Sequence, residues 1–183
     1  MKIETPRLRL RRYRAGDLED FFAILSDPEA MRYWSTEPHA DRKVTSDWLA
    51  KKLTMPAPTD LVIEVGCRAM GTAGGRELPE VGYLLHPSLW GLGYASEAMR
   101  ALIPVLFARP GVDHLTADID PENLASARLL ERLGFQVSGQ AARTFLHRGG
   151  LVGQHLLPAG PPRLTGRSGG FTPPHPRGIF MNR

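Results

Sequence analysis

Residues 86–98 read HPSLWGLGYASEA and place a turn with two glycines, Gly91 and Gly93, between a hydrophobic strand and a helix. Glycine lets the backbone take positive φ angles and lets a ligand approach closely. The amides of a helix's first turn lack internal partners and lie at the positive end of the helix dipole. Such a turn suits a phosphate, although a tight strand-to-helix turn without a ligand would use the same glycines.

The spacing around this turn excludes two common phosphate motifs. Ser96 occupies the position of the third glycine of a dinucleotide-binding fingerprint. No Gly-Lys-Ser/Thr follows, as a P-loop requires. We therefore predict a phosphate site of another kind over residues 91–96, which we call the phosphate cradle.

Residues 120–135 read DPENLASARLLERLGF and follow the next predicted strand. Asn123 stands at the start of a predicted helix, where its side chain would be a good cap. The periodic leucines behind it predict one buried helix face, and Gly134 predicts the end of the helix. Taken alone, this segment is an ordinary capped helix after a strand.

The composition restricts the class of protein. A chain of 183 residues is long enough for one domain with a buried core. Its single cysteine, Cys67, excludes an internal disulfide, and the six histidines show no ligand spacing, so we expect no metal. No apolar run is long enough to span a membrane, and the N-terminus shows no secretory signal. We therefore expect a cytoplasmic protein without a membrane partner.

The excess positive charge is confined to the C-terminal end of the chain. The net charge is +4, and residues 158–183 hold four arginines and no acid, so residues 1–157 are balanced. The same C-terminal segment contains six prolines and five glycines, a composition that favours neither helix nor strand. We therefore predict one folded domain over 1–157 and a Pro/Gly/Arg-rich extension over 158–183. A nucleic-acid partner is disfavoured because only the extension is basic.

Hydrophobic periodicity predicts a mixed α/β protein. The predicted order is strand, helix, helix, three strands, helix, strand, helix and a final set of strands. Asp17 and Asp41 are the predicted caps of the first two helices. The other predicted helices are 93–108 and 123–133, and the predicted strands are 7–11, 61–65, 70–73, 80–85, 114–119, 135–137 with 144–146, and 151–157.

Three segments together resemble the GCN5-related N-acetyltransferases (GNAT), in the branch of the bacterial ribosomal-protein N-terminal acetyltransferases (RimJ/RimL-like). They are TPRLRLR at 5–11, WGLGYASEA at 90–98 and the run from Asn123 to Phe135, and the likeness covers roughly residues 3–157. The resemblance implies the GNAT fold. In that fold a mixed, mostly antiparallel central sheet, flanked by helices, has a V-shaped splay between its two central strands.

The resemblance also implies acetyl-coenzyme A as co-substrate. In this family the backbone amides of the cradle hold the pyrophosphate. The end of the preceding strand, here Leu84 and Leu85, pairs with the pantetheine arm, and Asn123 hydrogen-bonds that arm from the far side. The cofactor-binding residues implied are Leu84, Leu85, Gly91, Leu92, Gly93, Tyr94, Ala95, Ser96 and Asn123.

The catalytic residues follow the family less closely. Many members place a tyrosine, as the acid, seven residues after the asparagine, where this chain has Leu130. Ser126 is the alternative acid for the leaving thiolate, or else a small helix residue. Glu80 is the candidate base, acting through water, or else a solvated carboxylate at a strand end. The Leu85 N–H is the candidate donor to the oxyanion.

The predicted reaction is direct attack of a primary amine on the thioester, since no nucleophile for a covalent acetyl-enzyme has a supporting motif. An α-amine has a reference pKa of about 7.7–8.0 against about 10.4 for lysine, which favours a peptide N-terminus as acceptor. A small amine such as an antibiotic or a polyamine stays open, as does a non-catalytic coenzyme A-binding module. We expect a monomer or a homodimer.

Overall fold

The computed structural model describes residues 1–55, 59–75 and 77–136, together with the backbone of two later strands. Its elements follow the predicted order, with one additional short strand at the N-terminus. They are β1 (Lys2–Glu4), β2 (Arg9–Arg11), α1 (Leu18–Leu25), α2 (Arg42–Leu53), β3 (Asp60–Val65), β4 (Arg68–Gly74), β5 (Gly82–Leu85), α3 (Tyr94–Phe107), β6 (Leu115–Ile119), α4 (Leu124–Arg132), β7 (Gly139–His147) and β8 (Gly150–Ala159).

The first sheet contains five antiparallel strands in the order β1-β2-β3-β4-β5. Strand β3 is buried at its first five positions, because the sheet is covered on both faces. In the last strand pair, Gly71 lies opposite Leu85 and Thr72 opposite Leu84. This register determines which backbone groups of β5 face the site described below.

The second sheet contains three antiparallel strands in the order β6-β8-β7. The prediction of a strand over 135–137 is wrong for Phe135 and Gln136, because neither residue lies in a strand. Residue 137 lies outside the described part of the chain. The reason is that the Phe135 N–H donates to the Leu130 carbonyl (3.0 Å) and so completes the end of α4. The Phe135 side chain is then buried in the core.

Strands β5 and β6 meet at their beginnings and then separate. Glu80 and Thr116 form a parallel bridge. The Val81 N–H donates to the Thr116 carbonyl and the Thr116 N–H to the Pro79 carbonyl, both at 2.8 Å. Beyond these bonds the two strands belong to different sheets. The predicted V-shaped splay is therefore confirmed, and with it the mixed, mostly antiparallel fold.

Helices cover both faces of the sheets. Helices α3 and α4 pack on one face in a core that includes Met99, Leu102 and Leu130. Helices α1 and α2 pack on the other face in a second core that includes Phe21 and Leu49. Helices α1, α3 and α4 each bury an apolar stripe, as their sequence periodicity predicts. In α2 only Thr45 and Leu49 are buried, and the predicted face residues Val44 and Leu53 are exposed.

One of the two predicted helix caps has a different role. Asp41 caps α2, its Oδ1 accepting from the Val44 N–H (3.0 Å). Asp17 stands at the start of α1 but makes no side-chain bond to that helix. Its carboxylate instead accepts from both terminal nitrogens of the buried Arg11 (2.8 and 2.7 Å) and from the Arg14 N–H (2.8 Å). A buried guanidinium needs a paired charge, and this need outweighs a cap.

The final strand, β8, is described through Ala159, two positions beyond the predicted domain boundary. Residues 160–183 lie outside the described residues, so the division into 1–157 and 158–183 stays a prediction. Within the described part of the chain, no helix has the length and apolar character needed to cross a membrane.

Candidate active site

The turn over residues 86–93 connects the end of β5 to the start of α3. Gly91 and Gly93 take φ angles of +72° and +83°, in the region that favours glycine. A Cβ added to Gly91 would meet nothing within 4 Å, so the space above this turn is open. Gly93 stands at the cap position of α3, which therefore has no side-chain cap.

The first turn of α3 presents backbone donors that the helix itself does not use. Its first intrahelical bond runs from the Glu97 N–H to the Gly93 carbonyl (3.0 Å). The N–H groups of Tyr94, Ala95 and Ser96 precede that bond and have no acceptor within the helix. The helix dipole adds partial positive charge at the same point, which favours an anion. The phosphate cradle thus offers several backbone N–H groups at the positive end of the helix dipole.

A segment before β2, which we call the N-terminal strap (Thr5–Arg7), packs against the cradle. Arg7 donates from Nε to Glu97 Oε2 (2.6 Å) and from Nη1 to the Leu92 carbonyl (2.8 Å). Thr5 Oγ1 donates to Glu97 Oε1 (2.6 Å). The guanidinium also lies 4.5 Å from the centre of the Tyr94 ring. The sequence marks the strap as a family feature, but only the structure joins residues 90 positions apart.

The strap lowers the pKa of Glu97 and packs against its carboxylate. Burial alone raises the pKa of this carboxyl, but the hydrogen bonds from Thr5 and Arg7 lower the pKa by more, so the net shift is downward. An open cleft of about 560 Å³ lies beside the carboxylate, lined by the strap, Ser96 and Arg100 among others. The cleft leads directly to the first turn of α3.

The register of β5 decides which of its backbone groups face β4. The His86 N–H donates to the carbonyl of Met70 in β4 (2.9 Å). Hydrogen-bonded residues alternate along an antiparallel strand, so Leu84, which lies opposite Thr72, is also paired with β4. Leu84 therefore turns its backbone groups away from the splay, contrary to its predicted pairing with the pantetheine arm.

Tyr83 and Leu85 direct their backbone groups into the gap between β5 and β6, which we call the slot. The same alternation establishes this direction, because the Val81 N–H donates to Thr116 of β6. The Leu85 carbonyl accepts from Trp90 Nε1 (3.0 Å), while its N–H points into the slot. Leu85 thus stays the predicted partner of the arm, and the same strand geometry makes Tyr83 a further candidate.

Helix α4 begins on the other side of the slot with a side-chain cap. Asn123 Oδ1 accepts from the Ser126 N–H (3.1 Å), so the carboxamide oxygen is used within the helix. The Asn123 amide nitrogen is left to donate outward, which suits a carbonyl of the arm. Ser126 is half-buried, and Leu130, at the family's tyrosine position, is 1% exposed in the core.

One buried polar atom was not singled out by the sequence. The Tyr83 hydroxyl is buried, and no described group meets hydrogen-bond geometry with it. Burial raises the pKa of Tyr83, and the nearby Ser126 side chain and the Arg132 charge offset the rise only in part. A hydrogen-bonding influence without a fully formed bond places the Ser126 hydroxyl close to that of Tyr83. In sequence, an aromatic residue after Gly82 is indistinguishable from a core residue.

Two carboxylates lie near the closed end of the slot, on the opposite face of the sheets. Val81 and Ala117 belong to the α3/α4 core, so strand alternation places Glu80 and Asp118 on the α1/α2 face. Glu80 is exposed and Asp118 is half-buried. Burial, and then the Glu80 charge, raises the pKa of Asp118 to about 7. Asp118 was not among the predicted site residues; its only signal in the sequence is an acid between the apolar residues Ala117 and Ile119 in a strand.

These features fit acetyl-coenzyme A. The cradle supplies uncovered N–H donors for a pyrophosphate, and Leu85 and Asn123 supply donors for an amide-bearing arm. When bound, the co-substrate supplies an acetyl group activated as a thioester. Among the residues the structure describes, no group of three or more His, Cys, Asp or Glu side chains could hold a metal ion.

Comparison with known proteins identifies the family. The family model of the acetyltransferase (GNAT) domain matches residues 7–136, so the chain belongs to the GNAT acetyltransferases. The N-acetyltransferase p20 of Bacillus licheniformis is 30% identical over an alignment of 148 positions, which covers 75% of this chain and 83% of that protein. Spermidine N(1)-acetyltransferase of Escherichia coli K12 is 24% identical over an alignment of 151 positions, which covers 78% of this chain and 80% of that protein.

Solved structures agree with the fold. A GNAT acetyltransferase from Bacillus anthracis has a TM-score of 0.77 at 22% identity, covering 87% of this chain and 98% of its own. YncA from Salmonella typhimurium, solved with acetyl-CoA, has a TM-score of 0.66 at 19% identity and covers 88% and 98%. RimL, a ribosomal L7/L12 α-N-protein acetyltransferase, has a TM-score of 0.77 at 16% identity and covers 87% and 94%. The enzyme class and the acetyl-coenzyme A co-substrate are thus confirmed.

Proposed function

We propose that this acetyltransferase moves the acetyl group directly to a primary amine, without a covalent acetyl-enzyme. The observation that carries the proposal is the slot, which runs from an uncapped helix start to a pair of carboxylates and is bordered by donors. The single cysteine, Cys67, is exposed in the β3–β4 turn and not on β5 or β6. The amine therefore has no competing nucleophile on the two strands that border the slot.

The chain's own residues divide the work between the two faces of the sheets. On the α3/α4 face, the cradle holds the phosphates, Tyr83 and Leu85 line the slot with backbone groups, and Asn123 donates to the arm. The Leu85 N–H is placed to stabilise the oxyanion that forms on attack. Ser126 borders the same region as the proposed proton donor to sulfur. This part of the site is therefore built mainly from hydrogen-bond donors.

On the α1/α2 face, the carboxylates of Glu80 and Asp118 attract the ammonium group of the acceptor, and one of them takes its proton. Glu80 remains the proposed base through water, and Asp118 is a second candidate because its pKa is about 7. If Glu80 is the base, Glu80→Gln should lower kcat/KM by roughly 10²–10⁴ and leave cofactor affinity intact. If Asp118 is the base, Glu80→Gln should instead lower the pH at which activity appears, because the Asp118 pKa falls with the neighbouring charge gone.

We propose the α-amine of a peptide or protein N-terminus as the acceptor. A carboxylate with a pKa of about 7 can deprotonate an α-ammonium of about 8 at a penalty of roughly one pKa unit, whereas a lysine ammonium at about 10.4 exceeds it by more than three. RimL, whose fold this chain shares, acts on the N-terminus of a ribosomal protein. The support from this chain itself is that the pKa of Asp118 lies close to that of an α-ammonium.

A polyamine is the second candidate acceptor. The observation that favours it is the pair of carboxylates at the slot, since two acids attract a molecule with several ammonium groups. The relative spermidine N(1)-acetyltransferase acts on such a molecule. If the acceptor is a polyamine, Glu80→Gln should raise the KM for the polyamine several-fold more than the KM for a peptide without charged side chains.

The test is coenzyme A release with a panel of peptides bearing free or blocked α-amines, lysine side-chain amines and polyamines. We expect turnover with free α-amines, initial-velocity patterns of a ternary complex and no acetylated enzyme by mass spectrometry. Ping-pong kinetics or a trapped acetyl-enzyme would contradict direct transfer. Coenzyme A binding without turnover on any amine would favour the non-catalytic module over an enzyme.

A further inference from the structure

Gly82, in β5, has no conformational reason to be a glycine. It does not take a positive φ, and a Cβ added to it would meet nothing within 4 Å. Of the described glycines, only Gly16, in the turn before α1, shares both features. A glycine weakens a strand, because it loses more backbone freedom on folding and packs no side chain. Where a strand nevertheless carries one, a ligand or another backbone often approaches closely.

The open space above Gly82 lies on the α1/α2 face of the sheets. Val81 and Leu85 belong to the α3/α4 core, so strand alternation places Gly82 on the opposite face. The residue opposite Gly82 in β4 is Gly74, which carries no side chain either. Two neighbouring strands are therefore bare at this point, and we call Gly74 and Gly82 together the glycine platform.

The platform borders the two carboxylates at the slot. Glu80 precedes Gly82 by two positions and shares its face. Glu80 is bridged in parallel to Thr116, and the same register two residues further along puts Asp118 across the slot from Gly82. The platform is thus the surface next to an ammonium group that these acids attract.

An acceptor held by these acids must cross the platform to reach the acetyl group. Glu80, Gly82 and Leu84 form one row along β5, about 13 Å from first to last. The acids stand at one end of this row, and the proposed oxyanion donor, the Leu85 N–H, stands at the other. Leu84 is buried in the α1/α2 core and limits the row there. The part of an acceptor that follows its attacking nitrogen then lies over Gly82.

We propose that Gly82 is a specificity-determining residue, and that the first side chain of an acceptor peptide packs on the glycine platform. This proposal rests on the proposed function and deepens it. Because the platform is open, it takes large first side chains as well as small ones. The backbone groups of Gly82 face β4, as those of Leu84 do, so a side chain added here leaves the co-substrate slot unchanged.

The test measures coenzyme A release with three peptides that differ only in a first glycine, leucine or phenylalanine. We expect the wild-type protein to acetylate all three, with kcat/KM values within about tenfold of one another. Gly82→Val should lower kcat/KM on the order of 30-fold for the leucine and phenylalanine peptides and by less than about fivefold for the glycine peptide. Gly82→Ala should give an intermediate loss. The KM for acetyl-coenzyme A should stay within about twofold in both variants.

The stability of the variants separates this role from a structural one. Gly82→Val should not lower Tm, because a β-branched residue suits an open strand position. If Tm does fall, the ratio of kcat/KM among the three peptides in Gly82→Ala decides the question. Gly16→Val is the matched control, because Gly16 lies outside both sheets, and it should leave that ratio unchanged.

The outcomes distinguish this proposal from the proposed function. An equal loss for all three peptides in Gly82→Val, no loss, or a wild-type protein that takes only the glycine peptide overturns the role of Gly82 and leaves acetyl transfer to an α-amine standing. Turnover of polyamines alone overturns the peptide acceptor and, with it, the role of Gly82. Failure of the wild-type protein to acetylate any amine overturns both proposals.

Discussion

Helices α3 and α4 both begin beside the slot, yet their first turns are finished differently. Helix α3 begins after Gly93, which has a φ of +83° and no side chain to cap the helix. Helix α4 begins after Asn123, whose carboxamide oxygen accepts from the Ser126 N–H at 3.1 Å. One helix thus leaves its backbone donors exposed, while the other satisfies a backbone donor with a side chain and presents an amide nitrogen instead.

The two helix starts suit two different parts of acetyl-coenzyme A, the pyrophosphate and the amide-bearing arm. A side-chain cap stabilises a helix by about 1 kcal/mol, and α3 forgoes it. Its free amides and the helix dipole suit a doubly charged pyrophosphate, which we propose takes the place of the cap. The capped start of α4 suits a neutral amide arm, because a carbonyl there needs one oriented donor and no net charge. The predictions below test this division.

The largest effect should come from closing the open start of α3. Gly93→Val places a β-branched side chain in the left-handed region and over the amides, so we expect acetyl-coenzyme A affinity to fall about 100-fold. Calorimetric titration with the co-substrate measures it. Gly111→Val is the matched control, because Gly111 has a φ of +79° and open space around it but lies after α3. Equal losses in the two variants would mean that the cradle is only structural.

A smaller effect should separate the two roles of Asn123. Asn123→Asp keeps an oxygen that can cap α4 but removes the outward N–H donors, whereas Asn123→Ala removes both. We expect both variants to lose about 1–2 kcal/mol of co-substrate affinity and only Asn123→Ala to lose Tm. Full affinity in Asn123→Asp would show that the carboxamide serves the helix alone, and α4 would then not take part in binding.

The strap should contribute less again, because it acts on the shape of the cradle and not on the ligand. Arg7 is about half exposed, so loss of its bonds to Glu97 and Leu92 should weaken co-substrate affinity by about fivefold in Arg7→Ala. Glu97→Gln in the Arg7→Ala background should cause little further loss of co-substrate affinity, since the two side chains act together. Arg42→Ala, which removes a more exposed pair with Glu19 and a contact with the Phe22 ring, is the control and should leave affinity unchanged.

The smallest effect concerns Asp118, on the face that neither α3 nor α4 covers. Its pKa is raised to about 7, while in the unfolded chain it is about 3.9. Between about pH 3.9 and about pH 7 the Asp118 carboxyl is ionised in the unfolded chain but still protonated in the folded one. The contribution of Asp118 to the free energy of unfolding therefore falls as pH rises through this range and is lowest above about pH 7. Asp118→Asn should therefore raise Tm more at about pH 8 than at about pH 4.5.

Asp113 provides the comparison for that measurement. It is exposed, and the hydrogen bond from His114 lowers its pKa, so Asp113→Asn should show no gain in Tm with rising pH. A Tm difference for Asp118→Asn that is the same at both pH values would show that its pKa is not raised. The assignment of Asp118 as a base would then be withdrawn, and Glu80 would be the only carboxylate candidate.

Local sequence was sufficient for features that depend on neighbours in the chain. The two glycines define the turn before α3, Asn123 defines the start of α4, and apolar periodicity locates the helices and most strands. These features follow from backbone conformational limits and first-turn hydrogen bonding, which act over a few residues. Together with the family resemblance, they gave the class of enzyme, its co-substrate and the position of the cradle.

Tertiary structure alone decided the rest, because distant groups had to be brought together. Asp17 pairs with Arg11 instead of capping α1, and Phe135 completes the end of α4 instead of joining a strand. The register of β5 turns Leu84 toward β4 and leaves Leu85 and Tyr83 facing the slot. Strand register, burial and long-range charge pairing have no local signature, since the same residue pattern permits either direction until the chain is packed.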